Sequence, residues 1–134
     1  MRAFLLILAL TSAPLPAAAD CLAFAPRAHL SGVLVRETFP GPPNFESIAA
    51  GDQAQTYFLL RLPSPICVEG DPEISPGSKQ VDEIQLVFED PGMFARYRPL
   101  LGKSVVVDGA WLSAISASHR TPMLLTHVSI DRAG

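Results

Sequence analysis

Asp90-Pro91-Gly92-Met93-Phe94-Ala95-Arg96-Tyr97-Arg98-Pro99-Leu100-Leu101-Gly102 reads as one short helix in a chain otherwise built of strands. Asp90 is a good N-cap, and Pro91 fits the first helical position, where its missing N–H leaves nothing unsatisfied. Met93, Phe94, Tyr97, Leu100 and Leu101 recur at three-to-four spacing and mark one apolar face. Pro99 ends the regular helix and Gly102 supplies a C-terminal stop, so the helix is expected over residues 91–98.

Strand patterns lie on both sides of it. Residues 30–39 are rich in β-branched and apolar side chains, with Gly32 as a possible bulge. In residues 55–62, Tyr57, Leu59 and Arg61 alternate with Phe58, Leu60 and Leu62. In residues 81–88, Ile84, Leu86 and Phe88 oppose Glu83, Gln85 and Val87. After the helix, residues 103–112 carry Val105-Val106-Val107, Gly109 and Trp111. Residues 122–130 place Leu124, Thr126, Val128 and Ile130 on one face. Three strands, a helix and two strands is the element order of a small five-stranded oligonucleotide/oligosaccharide-binding (OB) barrel. A small β-sandwich with the helix on one edge is the alternative.

The first nineteen residues read as a secretory signal. Arg2 gives the positive start, Phe4 to Leu10 the apolar run, and Ala17-Ala18-Ala19 the small-residue cleavage site. The apolar run is far short of the ~20 residues a spanning helix needs, so no stable membrane insertion is expected after cleavage. Asp20 directly before Cys21 argues against lipid attachment. Removing nineteen of 134 residues leaves 115, residues 20–134, the size of one domain. Without Arg2, nine basic residues face 13 acidic ones, a formal charge of −4. Such a chain lacks the basic stripe for nucleic acid and the polybasic patch for anionic lipid. The export signal therefore points to a periplasmic or secreted protein. In that setting Cys21 and Cys67, the only cysteines, are expected to form a disulfide.

No motif for chemistry stands out. Gly-x-Ser-x-Gly and Ser-x-x-Lys are missing, as are His-Glu-x-x-His, paired Cys-x-x-Cys sites and phosphate loops. His29, His119 and His127 are scattered, and no metal or cofactor is expected. Glu46, Asp52, Glu69 and Asp71 lie on the two proline-rich connections and offer a carboxylate pair for cell-wall hydrolysis. Thr38-Phe39-Pro40-Gly41-Pro42-Pro43-Asn44-Phe45-Glu46 suits a preorganised recognition surface, with two aromatics flanking a stiff turn. Its plainer reading has Phe39 and Phe45 capping the core, and Trp111 is likewise a core candidate. The candidate binding residues are Phe39, Asn44, Phe45, Glu46, His119 and Arg120. The expected partner is a peptide, a glycan fragment or an envelope protein, with a purely structural role as a further alternative.

Several segments also resemble a known family. These are residues 30–48 from Leu-Ser-Gly-Val to Glu-Ser-Ile, the pair Gly51-Asp52, and Pro-Ile-Cys-Val-Glu-Gly-Asp-Pro at residues 65–72. Val-Asp-Glu-Ile-Gln-Leu-Val from Val81, Leu-Gly-Lys-Ser-Val-Val-Val-Asp-Gly from Leu101 and His-Arg-Thr-Pro-Met-Leu-Leu-Thr from His119 add to the likeness. Together they resemble a bacterial exported domain catalogued as domain of unknown function 4431. The resemblance implies a periplasmic or secreted OB-like domain and carries no activity. The family pattern has a His-rich run before the Thr-Pro. Here only His119 stands there, beside Ser116 and Ser118, which weakens any metal site based on that tract.

Overall fold

The computed structural model describes residues 12–14 and 20–134. The expected signal segment falls largely outside the described residues. Five strands form one sheet: β1 (Ala28–Pro40), β2 (Ala54–Glu69), β3 (Ser78–Leu86), β4 (Ser104–Ser113) and β5 (Met123–Arg132). The sheet closes on itself in the order β1-β2-β3-β5-β4, and every pairing is antiparallel except β3 with β5. Among the described residues one helix, α1 (Gly92–Tyr97), lies between β3 and β4 and runs into a 3-10 turn, Arg98–Leu100. This is the OB-like arrangement expected from the element order.

Helix α1 starts one residue later than its sequence pattern suggests. The Asp90 carboxylate accepts the Gly92 N–H at 2.9 Å, so it satisfies the first turn from just outside the helix. Met93 and Tyr97 are buried by α1 against a core of Leu34, Phe58, Leu60, Ile84, Val105, Val107, Trp111 and Leu125. Trp111 is therefore a core residue.

Strand β2 is much longer than residues 55–62. Pro63 and Pro65 do not end it, because a register shift between Arg61 and Ile66 takes them out of the ladder. The pairing resumes and carries Cys67 and Val68 to the loop of residues 70–77. Gly32 has a packing reason rather than a bulge. A Cβ there would stand 2.4 Å from the Arg61 carbonyl oxygen, where β1 and β2 approach closely.

The inward face of β5 also differs from strict alternation. His127 takes a left-handed conformation (φ 52°), and the register with β4 shifts opposite Gly109. This bulge moves the inward set from Leu124, Thr126, Val128 and Ile130 to Met123, Leu125, Val128 and Ile130. A Cβ on Gly109 would stand 3.0 Å from the Thr126 carbonyl oxygen, so glycine lets the bulge fit. Across the bulge, the Glu89 carboxylate accepts the Thr126 hydroxyl and the His127 N–H. Desolvation works to raise the Glu89 pKa, but these hydrogen bonds outweigh it and hold the carboxyl below its usual 4.5.

The predicted disulfide is present. Cys21 and Cys67 are joined, their Cα atoms 4.5 Å apart. The link ties the segment before β1 to the end of β2. Leu22 then donates to the Cys67 carbonyl and accepts from Glu69, each at 2.8 Å. No helix among the described residues is long and apolar enough to cross a membrane.

Candidate functional site

The two loops carrying the sequence candidates meet. The β1–β2 loop, residues 41–53, is organised by one carboxylate. Asp52 is buried and accepts the backbone N–H groups of Asn44 (2.9 Å), Glu46 (2.8 Å) and Ser47 (2.9 Å). These donors, Ser47 first, hold its carboxyl below the usual 3.8. Backbone bonds between Gly41 and Gln53 (2.6 Å) and between Gln53 and Pro42 (2.9 Å) close the base of the loop. Phe45 sits at its bend in a left-handed conformation, φ 58°, which is rare for a bulky side chain.

The β4–β5 loop, residues 114–122, is clamped by Gln85 on β3. Gln85 is buried. Its side-chain amide donates to the Ser118 carbonyl (3.2 Å) and its side-chain oxygen accepts the Arg120 N–H (2.6 Å). Its own backbone N–H donates to the Thr121 hydroxyl at 2.9 Å. In the sequence Gln85 reads as a solvent-facing position of β3. The loop folds over Gln85, and Leu59 and Leu124, its partners on the neighbouring strands, are buried as well.

Arg120 joins the two loops. Its guanidinium carbon lies 5.3 Å from the ring centroids of both Phe39 and Phe45. Nη2 donates to the Pro40 carbonyl and to Gln55 Oε1. Nε is buried and meets no acceptor. Phe39 also packs against Tyr57, with centroids 6.2 Å apart.

Of the six candidates, Phe39, Phe45 and Arg120 thus form one stack and are committed to each other. Asn44 and Glu46 remain exposed beside the stack. His119 is half-buried and lines a neighbouring cavity of about 190 Å³ with Tyr57, Gln85, Phe88, Phe94 and Ser118. Sequence reasoning missed Gln85, Tyr57 and Gln55, none of which belongs to a motif. Asp52 was visible only as a loop acid. A larger cleft of about 340 Å³ runs along Gly32, Val33, Leu62 and Pro63 to Ala133, and no candidate residue lines it.

Two of the carboxylates considered for hydrolysis are engaged within their own loops. Asp52 is consumed by its three donors, and Asp71 accepts the Glu73 N–H at 2.8 Å inside its own loop. A different pair adjoins on the outside of β1–β3, where Arg61 lies 3.4 Å from Glu37 and 3.2 Å from Glu83. Burial and the neighbouring Glu83 raise the Glu37 pKa above its usual 4.5, against the pull of Arg61. Among the described residues, no group of three or more His, Cys, Asp or Glu side chains is placed to hold a metal.

Residues 83–131 match a family model described as Domain of unknown function (DUF4431). Over this segment, 49 of 134 residues, the chain is similar to that family. The match spans β3 from Glu83, α1, β4, the loop of residues 114–122 and nearly all of β5. It takes in His119, Arg120 and the Gln85 clamp and leaves out the loop of residues 41–53. The early stretches 30–48 and 65–72, where the sequence resemblance is densest, lie outside it. No curated protein and no solved structure matches the chain.

Proposed function

We propose that this chain is an exported binding module that holds a peptide, glycan fragment or envelope protein on the rim formed by residues 41–53 and 114–122. One observation carries the reading. Two locally unfavourable features, the left-handed Phe45 and the unpartnered Arg120 Nε, occur together where the loops meet. Each costs about 1–3 kcal/mol, and such costs gather at functional sites rather than in ordinary loops. By analogy of fold, OB barrels bind ligands on these same two loops. The disulfide and the signal-like N-terminus support export to a periplasmic or extracellular setting. A hydrolase reading has less support, because Asp52 is fully hydrogen-bonded and held ionised and so is poorly suited to act as a general acid.

The test uses the exposed rim residues and leaves the stack intact. Asn44→Ala with Glu46→Lys should abolish partner capture from an envelope extract and leave the melting temperature within about 2 °C, as surface substitutions do. Undiminished capture by this variant would place the binding surface elsewhere.

A further inference from the structure

The cavity beside the stack has a specific chemical character. It has two solid walls. Phe88 and Phe94 pack edge-on with centroids 4.8 Å apart, and Phe88 also meets Phe58 at 5.5 Å and Tyr97 at 5.7 Å. Those contacts anchor the aromatic lining to the core, so the walls are preformed. A volume of about 190 Å³ is small. It falls below the ~300 Å³ at which pockets for drug-sized ligands begin. It slightly exceeds the ~150 Å³ of an apolar cavity that holds benzene. One ring or one branched aliphatic group fits.

The polar atoms around it are nearly all used. Both ends of the Gln85 amide are engaged on the loop of residues 114–122, and the Tyr57 hydroxyl donates to Gln55 Oε1 at 2.8 Å. His119 Nδ1 accepts the Ile115 N–H at 3.0 Å. That bond requires an unprotonated Nδ1, so the neutral ring carries its hydrogen on Nε2 and offers a single donor. No lysine or arginine lines the cavity. A sugar would bring several hydroxyls with no partners, and an anion would meet no charge.

Ser118 and His119 bring the loop of residues 114–122 to the cavity, Arg120 joins that loop to residues 41–53, and the two loops add charge and apolar surface. Residues 41–53 and 114–122 contain one arginine, Arg120, and it is enclosed between Phe39 and Phe45. Glu46 is exposed there, and so are Ile48 and Ile115, one on each loop. An approaching chain therefore meets an uncompensated carboxylate and two apolar side chains.

Resting on the rim-binding reading, we propose that the cavity lined by Tyr57, Phe88, Phe94 and His119 takes one bulky apolar side chain, phenylalanine or leucine, of a neutral or basic peptide. The peptide carbonyl next to that side chain accepts the His119 Nε2–H. The side chain supplies selectivity for size, and Glu46 disfavours an acidic residue where the peptide crosses the loop of residues 41–53.

NMR titration of the full domain with three small probes tests this. N-acetyl-phenylalaninamide should shift the His119, Tyr57 and Phe94 ring resonances saturably, with a dissociation constant on the order of 1 mM for a ligand of this size. N-acetyl-alaninamide should bind about tenfold more weakly or not at all, because it leaves the cavity unfilled. N-acetylglucosamine should leave those resonances unmoved. His119→Ala, and separately Val87→Phe, which fills the cavity from another residue of its lining, should each weaken the phenylalanine probe about tenfold. Silence of the three rings toward the phenylalanine probe overturns the proposal, as does equal binding of the alanine probe. A response to N-acetylglucosamine alone would make this a saccharide site. If the Asn44/Glu46 variant loses its partner while the rings ignore the phenylalanine probe, the rim reading stands and the cavity proposal falls.

Discussion

The loops of residues 41–53 and 70–77 look alike in sequence, each proline-rich, each carrying acids and glycine, yet they are held by different means. The first is drawn together from within by Asp52 and tied to residues 114–122 by Arg120. The second is pinned at its foot. The Cys21–Cys67 bond and the Leu22 bridge to Val68 fix the strand that leads into it, and a 2.9 Å bond from Gly70 to Gly77 closes its base. Its Asp71 accepts one backbone N–H where Asp52 accepts three. Proline stiffens both chains, but only a buried acceptor with converging donors gives a loop an interior of its own. The first loop should therefore be sensitive to acid and the second to reduction.

The largest effect tests the covalent side of this contrast. Reduction, or Cys21→Ser with Cys67→Ser, should lower stability by about 3–4 kcal/mol, the entropic value for a closed loop of this length. Amide exchange should quicken first around residues 20–22 and 67–77, with residues 41–53 keeping their protection. Equal loosening of both loops would erase the distinction.

Next in size is Asp52→Asn, which removes charge-assisted acceptance from three N–H groups and should lower the melting temperature by roughly 5–10 °C at neutral pH. The sign with pH follows from the depressed pKa. The contribution is complete above the ordinary 3.8 and is lost as pH falls through the lower folded value. Wild type should thus lose stability in acid more steeply than the variant. Glu89, depressed for similar reasons, adds a slope common to both proteins. Parallel melting curves from pH 5 to pH 2, in about half-unit steps, would show that Asp52 is not the anchor.

Arg120→Ala should cost less, about 1–2 kcal/mol, because the stack it removes is partly offset by losing an unsatisfied Nε–H. It should speed amide exchange at Phe45 and at residues 114–122 and leave residues 70–77 unchanged. The smallest effect belongs to the second loop. Asp71→Asn and Ile74→Ser, the latter at a residue 57% exposed, should each stay within about 0.5 kcal/mol of wild type by urea unfolding.

These contrasts also show where the sequence was informative. Alternation in β2 and β3, the Asp90-Pro91 start and the Gly102 stop locate the strands and α1, because period and capping are local properties. The β5 bulge was hidden, since a left-handed His127 opposite Gly109 is settled by pairing between two strands. The candidate site divided in the same way. The aromatic-proline segment and the His119-Arg120 turn are legible as composition, and the structure brings them together. The enclosure of Arg120 by Phe39 and Phe45, and the clamp by Gln85, depend on residues 33 to 81 positions apart, which no local pattern encodes.

The central claim is that the rim of residues 41–53 and 114–122 is the binding surface, while the loop of residues 70–77 is not. Photo-crosslinking in the native compartment tests it most directly, with one benzophenone side chain placed at Asn44 and, in a second protein, at Ile74. Both positions are exposed, and Ile74 is the more apolar, so nonspecific adhesion favours Ile74. The account predicts a discrete crosslinked product from Asn44 that disappears with Glu46→Lys, and none from Ile74. A product from Ile74 with none from Asn44 would contradict it.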